Sequence, residues 1–89
     1  MAWRIEFSSA ARKDLTGLDP QVARRITGFL RERVAALDDP RAIGEALQGP
    51  RLGAFWKYRV GDYRVIANIE DQVLRILVVR VGNRREVYR

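Results

Sequence analysis

Three cationic side chains, Lys57, Arg59 and Arg64, lie in a stretch whose spacing can bring them together on one surface. The stretch is Phe55–Arg64, FWKYRVGDYR, and its Gly61-Asp62 pair is typical of a two-residue hairpin turn of type II′. A two-residue turn fixes the pairing of the strands, so Arg59 faces Arg64. Because side chains alternate between the faces of a strand, the three cations share one face. The other face carries the apolar residues Ala54, Trp56, Tyr58, Val60, Tyr63, Val65 and Ala67.

The facing arginines are the unusual feature of this hairpin. Two like charges about 5 Å apart in a cross-strand pair destabilise a sheet. A polyanion lying across the face would remove that repulsion and turn it into binding energy. Alternatively, both side chains turn apart into solvent or find Asp and Glu partners. Our working hypothesis is a cationic sheet face that holds phosphate, and the hairpin alone leaves both interpretations open.

Composition narrows the chemistry that these residues can perform. The 89 residues carry a formal net charge of +6, with fifteen Arg and two Lys. Arg favours bidentate contact with phosphate, so nucleic acid, an anionic membrane or an acidic protein are the candidate partners. The chain has no Cys and no His. This excludes a disulfide, a thiolate metal site, a Cys nucleophile and the commonest general base.

We expect no metal, no cofactor and no membrane span. The adjacent acidic pairs, Asp38-Asp39 and Glu70-Asp71, are interpreted as caps and turn formers rather than metal ligands. The longest apolar run, Ile76–Val79, is far too short to cross a bilayer, and the N-terminal MAWRIEF lacks the apolar region of a signal peptide. We therefore expect a cytoplasmic protein.

The first half of the chain is predicted to form one strand and two helices. Alternation in Trp3–Phe7 predicts a half-buried strand, and Ser8 or Ser9 can cap the short amphipathic helix that follows. Asp19-Pro20 begins a second helix, which Asp38-Asp39-Pro40 stops. Arginines lie mostly off its apolar stripe, and we interpret them as a solvated surface in preference to a nucleic-acid contact: Arg24, Arg25, Arg31 and Arg33.

The second half is predicted to be mainly strands. Arg41–Gly49 is ambiguous, because Ile43 and Leu47 have the spacing of one helical turn. The hairpin then runs from about Leu52 to Ile69, and Val73–Val81 is apolar on both faces, as in a central strand. The prediction is therefore a single α+β domain over residues 1–89, in the order β-α-α-β-β-β. Its twisted sheet is mainly antiparallel, and both helices pack on one face.

The whole chain resembles the RelE/ParE toxin superfamily, and most of all its RelE branch. The resemblance rests on the predicted element order, on ALQG before the hairpin, on WKYRVGDYRVIANI, and on VVRVGNRREVYR at the end. It implies the toxin of a type II toxin–antitoxin pair, with a RelB-like antitoxin as partner in a hetero-oligomer. The implied activity is ribosome-dependent cleavage of mRNA in the A site. The RNA's own 2′-hydroxyl attacks, no metal is needed, and a 2′,3′-cyclic phosphate remains.

The resemblance also implies site residues. The family's catalytic positions match Lys57, Arg59, Arg64, Arg84 and Tyr88, and we expect Arg80 and Arg85 to contact RNA phosphate. Two departures from the family are noted. Asn83 stands where many relatives carry His or Lys, and the chain stops at Arg89 without the terminal helix of some relatives.

Each implied residue can be matched to a chemical task. Lys57 could act as base when deprotonated, a state that the like charges of Arg59 and Arg64 favour. The two arginines suit stabilisation of the phosphorane charge. Tyr88 can stack on a base or move a proton, and Arg84 is expected to stabilise the leaving group. Two alternatives stay open: a ParE-like inhibitor of DNA gyrase, and a non-catalytic basic module that binds RNA.

Overall fold

Two capped helices follow the first strand. The structure, a computed structural model, describes residues 3–47 and 55–83. Strand β1 is Arg4–Phe7, helix α1 is Ser9–Thr16 and helix α2 is Pro20–Phe29. The Ser8 hydroxyl accepts a hydrogen bond from the Ala11 amide at 3.1 Å, and Asp19 accepts one from Gln21 at 2.8 Å, so both N-termini are satisfied as the sequence predicts.

The helical conformation continues beyond α2 in a wider turn and ends before the predicted boundary. Leu30–Val34 forms a π-helical turn, closed by a hydrogen bond of 2.8 Å from the Ala35 amide to the Leu30 carbonyl. The helix was predicted to run up to Asp38-Asp39-Pro40, and the last helical residue is instead Val34. Ile26, Leu30 and Val34 are fully buried along one stripe, so this long helical segment is anchored to the core.

The remaining strands form a five-stranded sheet with β1. Strand β2 is Glu45–Ala46, β3 is Phe55–Val60, β4 is Tyr63–Glu70 and β5 is Arg75–Asn83. The strand order is β1-β5-β4-β3-β2, in which only the β1–β5 pair among these is parallel. Helix α1 packs on β5 and α2 on β3, so the predicted α+β fold with a mainly antiparallel sheet is confirmed.

The segment before the hairpin was predicted with too few strands. Pro40–Ala42 is a 3-10 turn rather than part of a helical turn through Ile43 and Leu47, and Glu45–Ala46 adds an edge strand. Gly44 explains the difference, because its φ of +83° turns the chain out of any right-handed helix. The expected start of the hairpin near Leu52 and the turn residue Gly49 lie outside the described residues.

The core lies between the helices and one face of the sheet. It contains Trp3, Ala11 and Tyr58 together with the central-strand residues Val65, Ala67, Ile76 and Val78. One irregularity interrupts the central pair: Ile66 faces Arg80 while Ala67 faces Val78, so Val79 is an extra residue in β5. None of the helices within the described ranges has the length and apolarity needed to cross a membrane.

Candidate functional site

The hairpin has the register that the turn predicts. Gly61 has a φ of +60° and Asp62 does not share a positive φ, as a type II′ turn requires. Arg59 is paired with Arg64, and Lys57 with Ile66. The three predicted cations therefore lie on one face of the β3–β4 pair, opposite to the face that packs on the helices.

A pocket of about 380 Å³ opens beside these cations. We call it the cationic pocket. Strand β2 pairs only with Trp56 and Lys57 of β3. The outer edge of β3 from Tyr58 to Val60 is therefore not covered by β2. One wall is formed by strand residues, and the other by the helical segment and the loop before β2. The lining residues are Phe29, Arg33, Ile43, Gly44, Glu45, Lys57, Tyr58, Arg59 and Arg64.

Arg64 is a buried cation in this wall. Only 7% of the residue is exposed, and its Nη1 donates to the carbonyl oxygens of Gly61 and Tyr63 at 3.2 and 3.1 Å. Within residues 3–47 and 55–83 no carboxylate lies within 4.0 Å of its nitrogens. A buried charge without a counterion is costly, so the site is suited to an anion that supplies one.

The opposite end of the same sheet face is neutralised internally. Arg75 pairs there with Glu70 and with Glu6, and Arg4 lies 3.9 Å from Glu6. The hydrogen bond that Arg75 donates to Glu70 raises the pKa of Arg75. The charge of this face is therefore paired at one end, whereas at the end that holds the cationic pocket Arg59 and Arg64 form no ion pair within the described residues.

Lys57 is the paired cation of the pocket. Its Nζ lies 3.3 Å from Glu45 Oε1, and the Lys57 side chain is 26% exposed. Glu45 is thus a carboxylate in an otherwise basic site, and no pattern in the sequence predicts it there. An incoming phosphate would compete with Glu45 for Lys57, and Glu45 itself is a group that can accept a proton.

Aromatic residues form the floor of the pocket. The Tyr58 ring meets the Phe29 ring edge-on at 6.3 Å, and the Tyr58 hydroxyl donates to the Pro40 carbonyl at 2.6 Å. Burial raises the pKa of Tyr58, so its hydroxyl remains a neutral donor. Trp56 donates from Nε1 to the Ile43 carbonyl at 2.8 Å. Both residues are core and anchoring groups, as predicted for the apolar face of the hairpin.

Arg33 extends over this floor from the π-helical turn. Its guanidinium carbon lies 5.9 Å from the centre of the Phe29 ring, within the range of a cation–π contact. Sequence analysis assigned Arg33 to a solvated helix surface. Arg33 is indeed exposed, and it also lines the pocket as a fourth cation. The i, i+4 spacing of Phe29 and Arg33 was the signal of their contact available in the sequence.

Arg80 is not among the residues that line the cationic pocket. Its Nε and Nη2 contact the two carboxylate oxygens of Asp14 at 2.9 and 3.5 Å, and this pairing raises the pKa of Arg80. Asp14 also accepts from the Val81 amide at 2.9 Å, so the pair fixes α1 against the edge of β5. Arg80 therefore makes a structural contact with Asp14 and does not line the cationic pocket. In the sheet it is paired with Ile66, which in turn is paired with Lys57, so its backbone lies on the strand next to the basic hairpin.

The remaining predicted site residues, Arg84, Arg85 and Tyr88, lie outside the described residues. Strand β5 ends at Asn83, which is paired with Tyr63, and Gly82 is paired with Arg64. The last described residues of β5 thus lie beside the basic hairpin. In the described part of the chain, no group of three or more acidic side chains is arranged to hold a metal ion.

The family of the chain follows from comparison with known proteins. Residues 5–88 match the family model described as the ParE toxin of the type II toxin–antitoxin system parDE. The chain belongs to this family, within the RelE/ParE toxin superfamily.

Individual relatives agree with this assignment. The chain is 28% identical to toxin RelG of Mycobacterium tuberculosis, with 100% of this chain and 99% of RelG aligned. The fold matches the toxin–antitoxin complex RelBE2 of M. tuberculosis with a TM-score of 0.85 at 24% identity, covering 97% of this chain and 95% of that one. A mutant Escherichia coli RelE toxin in the free state matches with a TM-score of 0.76 at 27% identity, covering 99% and 92%. The chain is a toxin of the type II toxin–antitoxin class.

Proposed function

We propose that this toxin is a ribosome-dependent mRNA endonuclease that cuts in the A site. The observation that carries the proposal is the cationic pocket, in which Arg59 faces Arg64 and Arg64 is buried without a carboxylate partner among the described residues. A phosphodiester lying in the pocket would supply the missing negative charge. Similarity to RelG and to RelE structures supports the RelE-type activity over the other activities of the superfamily.

The reaction proposed is attack of the RNA's 2′-hydroxyl on the adjacent phosphorus. The 2′-oxygen forms a bond to phosphorus as the bond to the 5′-oxygen of the next nucleotide breaks, which leaves a 2′,3′-cyclic phosphate and a 5′-hydroxyl. Arg59 and Arg64 would stabilise the charge of the phosphorane, where removal of one donor typically costs about 10²–10³ in rate. No step in this route requires a metal ion or a cofactor.

Two protons must move in this reaction. Lys57 and its partner Glu45 are the two groups of the described pocket that can take the proton from the 2′-hydroxyl. Arg84 and Tyr88 are proposed for the leaving 5′-oxygen, on the basis of the family resemblance. Arg85 is proposed to bind phosphate. Arg80 is a weaker candidate for that role, because Asp14 already occupies its guanidinium.

The proposed partners are an antitoxin and the ribosome. Relatives have been crystallised as toxin–antitoxin complexes, including RelBE2 of M. tuberculosis and RelE–RelB of Pyrococcus horikoshii. We propose a RelB-like antitoxin for this chain, in a hetero-oligomer that holds the toxin inactive in the cytoplasm. The ribosome is proposed to present the mRNA, since the pocket is an open edge of the sheet that does not itself enclose an RNA chain.

Inhibition of DNA gyrase is the second candidate function. The observation in its favour is the family model, whose description is of ParE toxins. Gyrase inhibition needs no facing pair of arginines positioned around a phosphodiester. The two candidates therefore differ in what they require of Arg59 and Arg64.

The test compares three substitutions in two assays run side by side. Purified wild-type protein, Arg59→Ala, Arg64→Ala and the control Arg31→Ala are added to ribosomes stalled on a defined mRNA, and to a gyrase supercoiling reaction. Arg31 is exposed on the π-helical turn and does not line the pocket, so its substitution removes the same charge elsewhere.

We expect wild type and Arg31→Ala to cut mRNA and to leave supercoiling unchanged. Arg59→Ala and Arg64→Ala should lower the cleavage rate by about 10²–10³. Arg59 is exposed, so its variant is expected to fold even if loss of the buried Arg64 disturbs the hairpin. Inhibition of supercoiling without any mRNA cleavage would replace the endonuclease proposal with the ParE-like one.

A further inference from the structure

The cationic pocket has two chemically different walls. The strand wall carries Lys57, Arg59 and Arg64, which suit a phosphate. The opposite wall combines the Phe29 ring, the Ile43 side chain and the backbone of Gly44 with two charged side chains, Arg33 and Glu45. A volume of about 380 Å³ is within the range of sites that hold small molecules. The volume and the combination of cationic and aromatic lining suit a nucleotide, with its phosphate against the strand cations and its base against the helical segment.

Arg33 lies on the second wall in contact with an aromatic ring. Its guanidinium lies 5.9 Å from the Phe29 ring centre, and the Phe29 ring is in turn supported edge-on by Tyr58. Arg33 is exposed, and it makes no ion pair with any residue of ranges 3–47 and 55–83. A guanidinium is planar and carries several N–H donors, so an exposed one can both stack on a base and donate hydrogen bonds to it.

The backbone beneath Arg33 also departs from a regular helix. Arg33 belongs to the π-helical turn Leu30–Val34, whose neighbours Leu30 and Val34 are completely buried. Single π-helical turns are rare and occur frequently at functional sites. The turn therefore anchors two core side chains while it presents Arg33 to the pocket.

We infer that Arg33, supported by Phe29, forms a nucleobase-binding subsite for the nucleotide whose phosphate lies on Arg59 and Arg64. The inference rests on the proposed endonuclease function and adds a substrate-positioning residue from the helical layer. Stacking on an arginine plane or an aromatic ring is largely independent of base identity, because every base has a π-face. Purines, with the larger ring system, should bind more tightly than pyrimidines.

The first test measures binding of small probes to the purified free protein. The probes are adenosine 3′-monophosphate, uridine 3′-monophosphate and inorganic phosphate, each titrated into wild type, Arg33→Ala, Arg33→Lys and Arg31→Ala. Wild type should bind the nucleotides more tightly than inorganic phosphate, with adenosine 3′-monophosphate the tightest. Arg33→Ala should weaken nucleotide binding by about tenfold, as expected for loss of one stacking contact, and should change phosphate binding far less.

The other variants separate stacking from simple charge. Arg33→Lys keeps the charge and loses the planar group, so it should bind inorganic phosphate as wild type does but lose the preference for adenosine 3′-monophosphate. Arg31→Ala should behave as wild type with all three probes. Equal weakening of nucleotide and phosphate by Arg33→Ala would show a phosphate contact and overturn the inference. A wild type that binds nucleotides no better than inorganic phosphate would overturn it as well.

A second test uses the ribosome reaction to keep the two proposals apart. Arg33→Ala should raise the protein concentration needed for half-maximal cleavage and reduce the difference between purine-containing and pyrimidine-containing A-site codons. If Arg64→Ala abolishes cleavage while Arg33→Ala has a wild-type rate and codon profile, the subsite is wrong and the endonuclease stands. If wild type does not cut, the endonuclease fails, and the probe titrations still decide the subsite.

Discussion

At the residue scale, the arginines of this toxin divide into paired and available groups. Arg41, Arg75 and Arg80 each contact a carboxylate in the structure. Arg59 and Arg64 face each other instead, and neither forms an ion pair within the described residues. Two like charges in a cross-strand pair repel each other and destabilise the folded state. Their position beside a pocket fits a site that gives up some stability in order to bind an anion.

Replacing Arg59 by Gln should therefore make the free protein more stable. The change removes one partner of the facing pair, and we expect a gain of about 0.2–1 kcal/mol in the free energy of unfolding. Urea denaturation at low salt measures the difference, which should shrink as added salt screens the repulsion. The same protein should have lost most of its cleavage activity.

Arg31→Gln provides the comparison for this prediction. Arg31 is an exposed residue of the π-helical turn and is not part of a cross-strand pair. The free energy of unfolding of Arg31→Gln should therefore stay within about 0.5 kcal/mol of wild type. Destabilisation by Arg59→Gln, at low salt and relative to Arg31→Gln, would mean that Arg59 makes a stabilising contact and that the repulsion has been overestimated.

At the element scale, the loop before β2 is built around one glycine. A Cβ added to Gly44 would collide with the Lys57 carbonyl oxygen and would lie 2.7 Å from Trp56 Nε1 and 3.0 Å from Tyr58 Cδ1. The φ of +83° is also strained for any other residue. Gly44 thus allows the loop to pack directly on β3 and to form the second wall of the cationic pocket.

Gly44→Ala should be destabilising, by about 1–3 kcal/mol for the backbone strain alone. Gly28→Ala is the matched change elsewhere, because Gly28 lies inside α2 and its added Cβ would meet only Glu32 Oε2, at 3.9 Å. That variant should gain about 0.5–1 kcal/mol from the better helix propensity of alanine. Urea denaturation of both proteins gives the comparison. Equal stability of the two variants would show that the loop can rearrange without loss.

The elements also show why some features were predictable from sequence and others were not. The hairpin register and the caps Ser8 and Asp19 follow from local chemistry, and each is confirmed. Strand β2 forms only because Glu45 and Ala46 pair with β3 at the edge of the sheet. The spacing of residues within the segment cannot indicate that tertiary pairing. The same reason explains the site: Lys57, Arg59 and Arg64 share one hairpin, whereas Arg33, Phe29 and Glu45 join them only through tertiary packing.

At the scale of the whole molecule, ion pairs connect loops that are far apart in sequence. Arg41, in the turn before β2, donates from both Nη atoms to the two carboxylate oxygens of Asp71 at 2.9 Å. Asp71 begins the turn between β4 and β5. This contact joins the pocket-forming loop to the central strands, and the Tyr58–Pro40 hydrogen bond supports the same turn from the core.

The Arg41–Asp71 pair should make part of the stability depend on pH. The hydrogen bond from Arg41 lowers the pKa of Asp71, so the folded state binds this proton less tightly than the unfolded state. The contribution is therefore fully present above the ordinary Asp pKa of about 3.9, and it is lost as pH falls through the lower pKa of the folded protein. The stability difference between wild type and Arg41→Ala should be largest near neutral pH and should disappear in strong acid.

Thermal unfolding across this pH range measures the difference. Asp71→Asn is the matching control, since it removes the same titration from the other partner and should give a curve close to that of Arg41→Ala. Both groups are solvent-exposed, so added salt should reduce the effect. A difference between wild type and Arg41→Ala that is equally large at neutral and strongly acidic pH would contradict an origin in this ion pair.

The most direct test of the endonuclease proposal is a single-atom change in the mRNA. Ribosomes are stalled with a defined codon in the A site, carrying either a ribose or a 2′-deoxyribose at the nucleotide 5′ to the cut, and the ends of the products are mapped. The proposal predicts a cut confined to the A-site codon, ending in a 2′,3′-cyclic phosphate. It should be absent without ribosomes, unaffected by prior metal chelation of the toxin, and abolished by the 2′-deoxy substitution. Cleavage that persists with the 2′-deoxy nucleotide would contradict the mechanism, and an intact ribosomal mRNA with well-folded toxin would contradict the function.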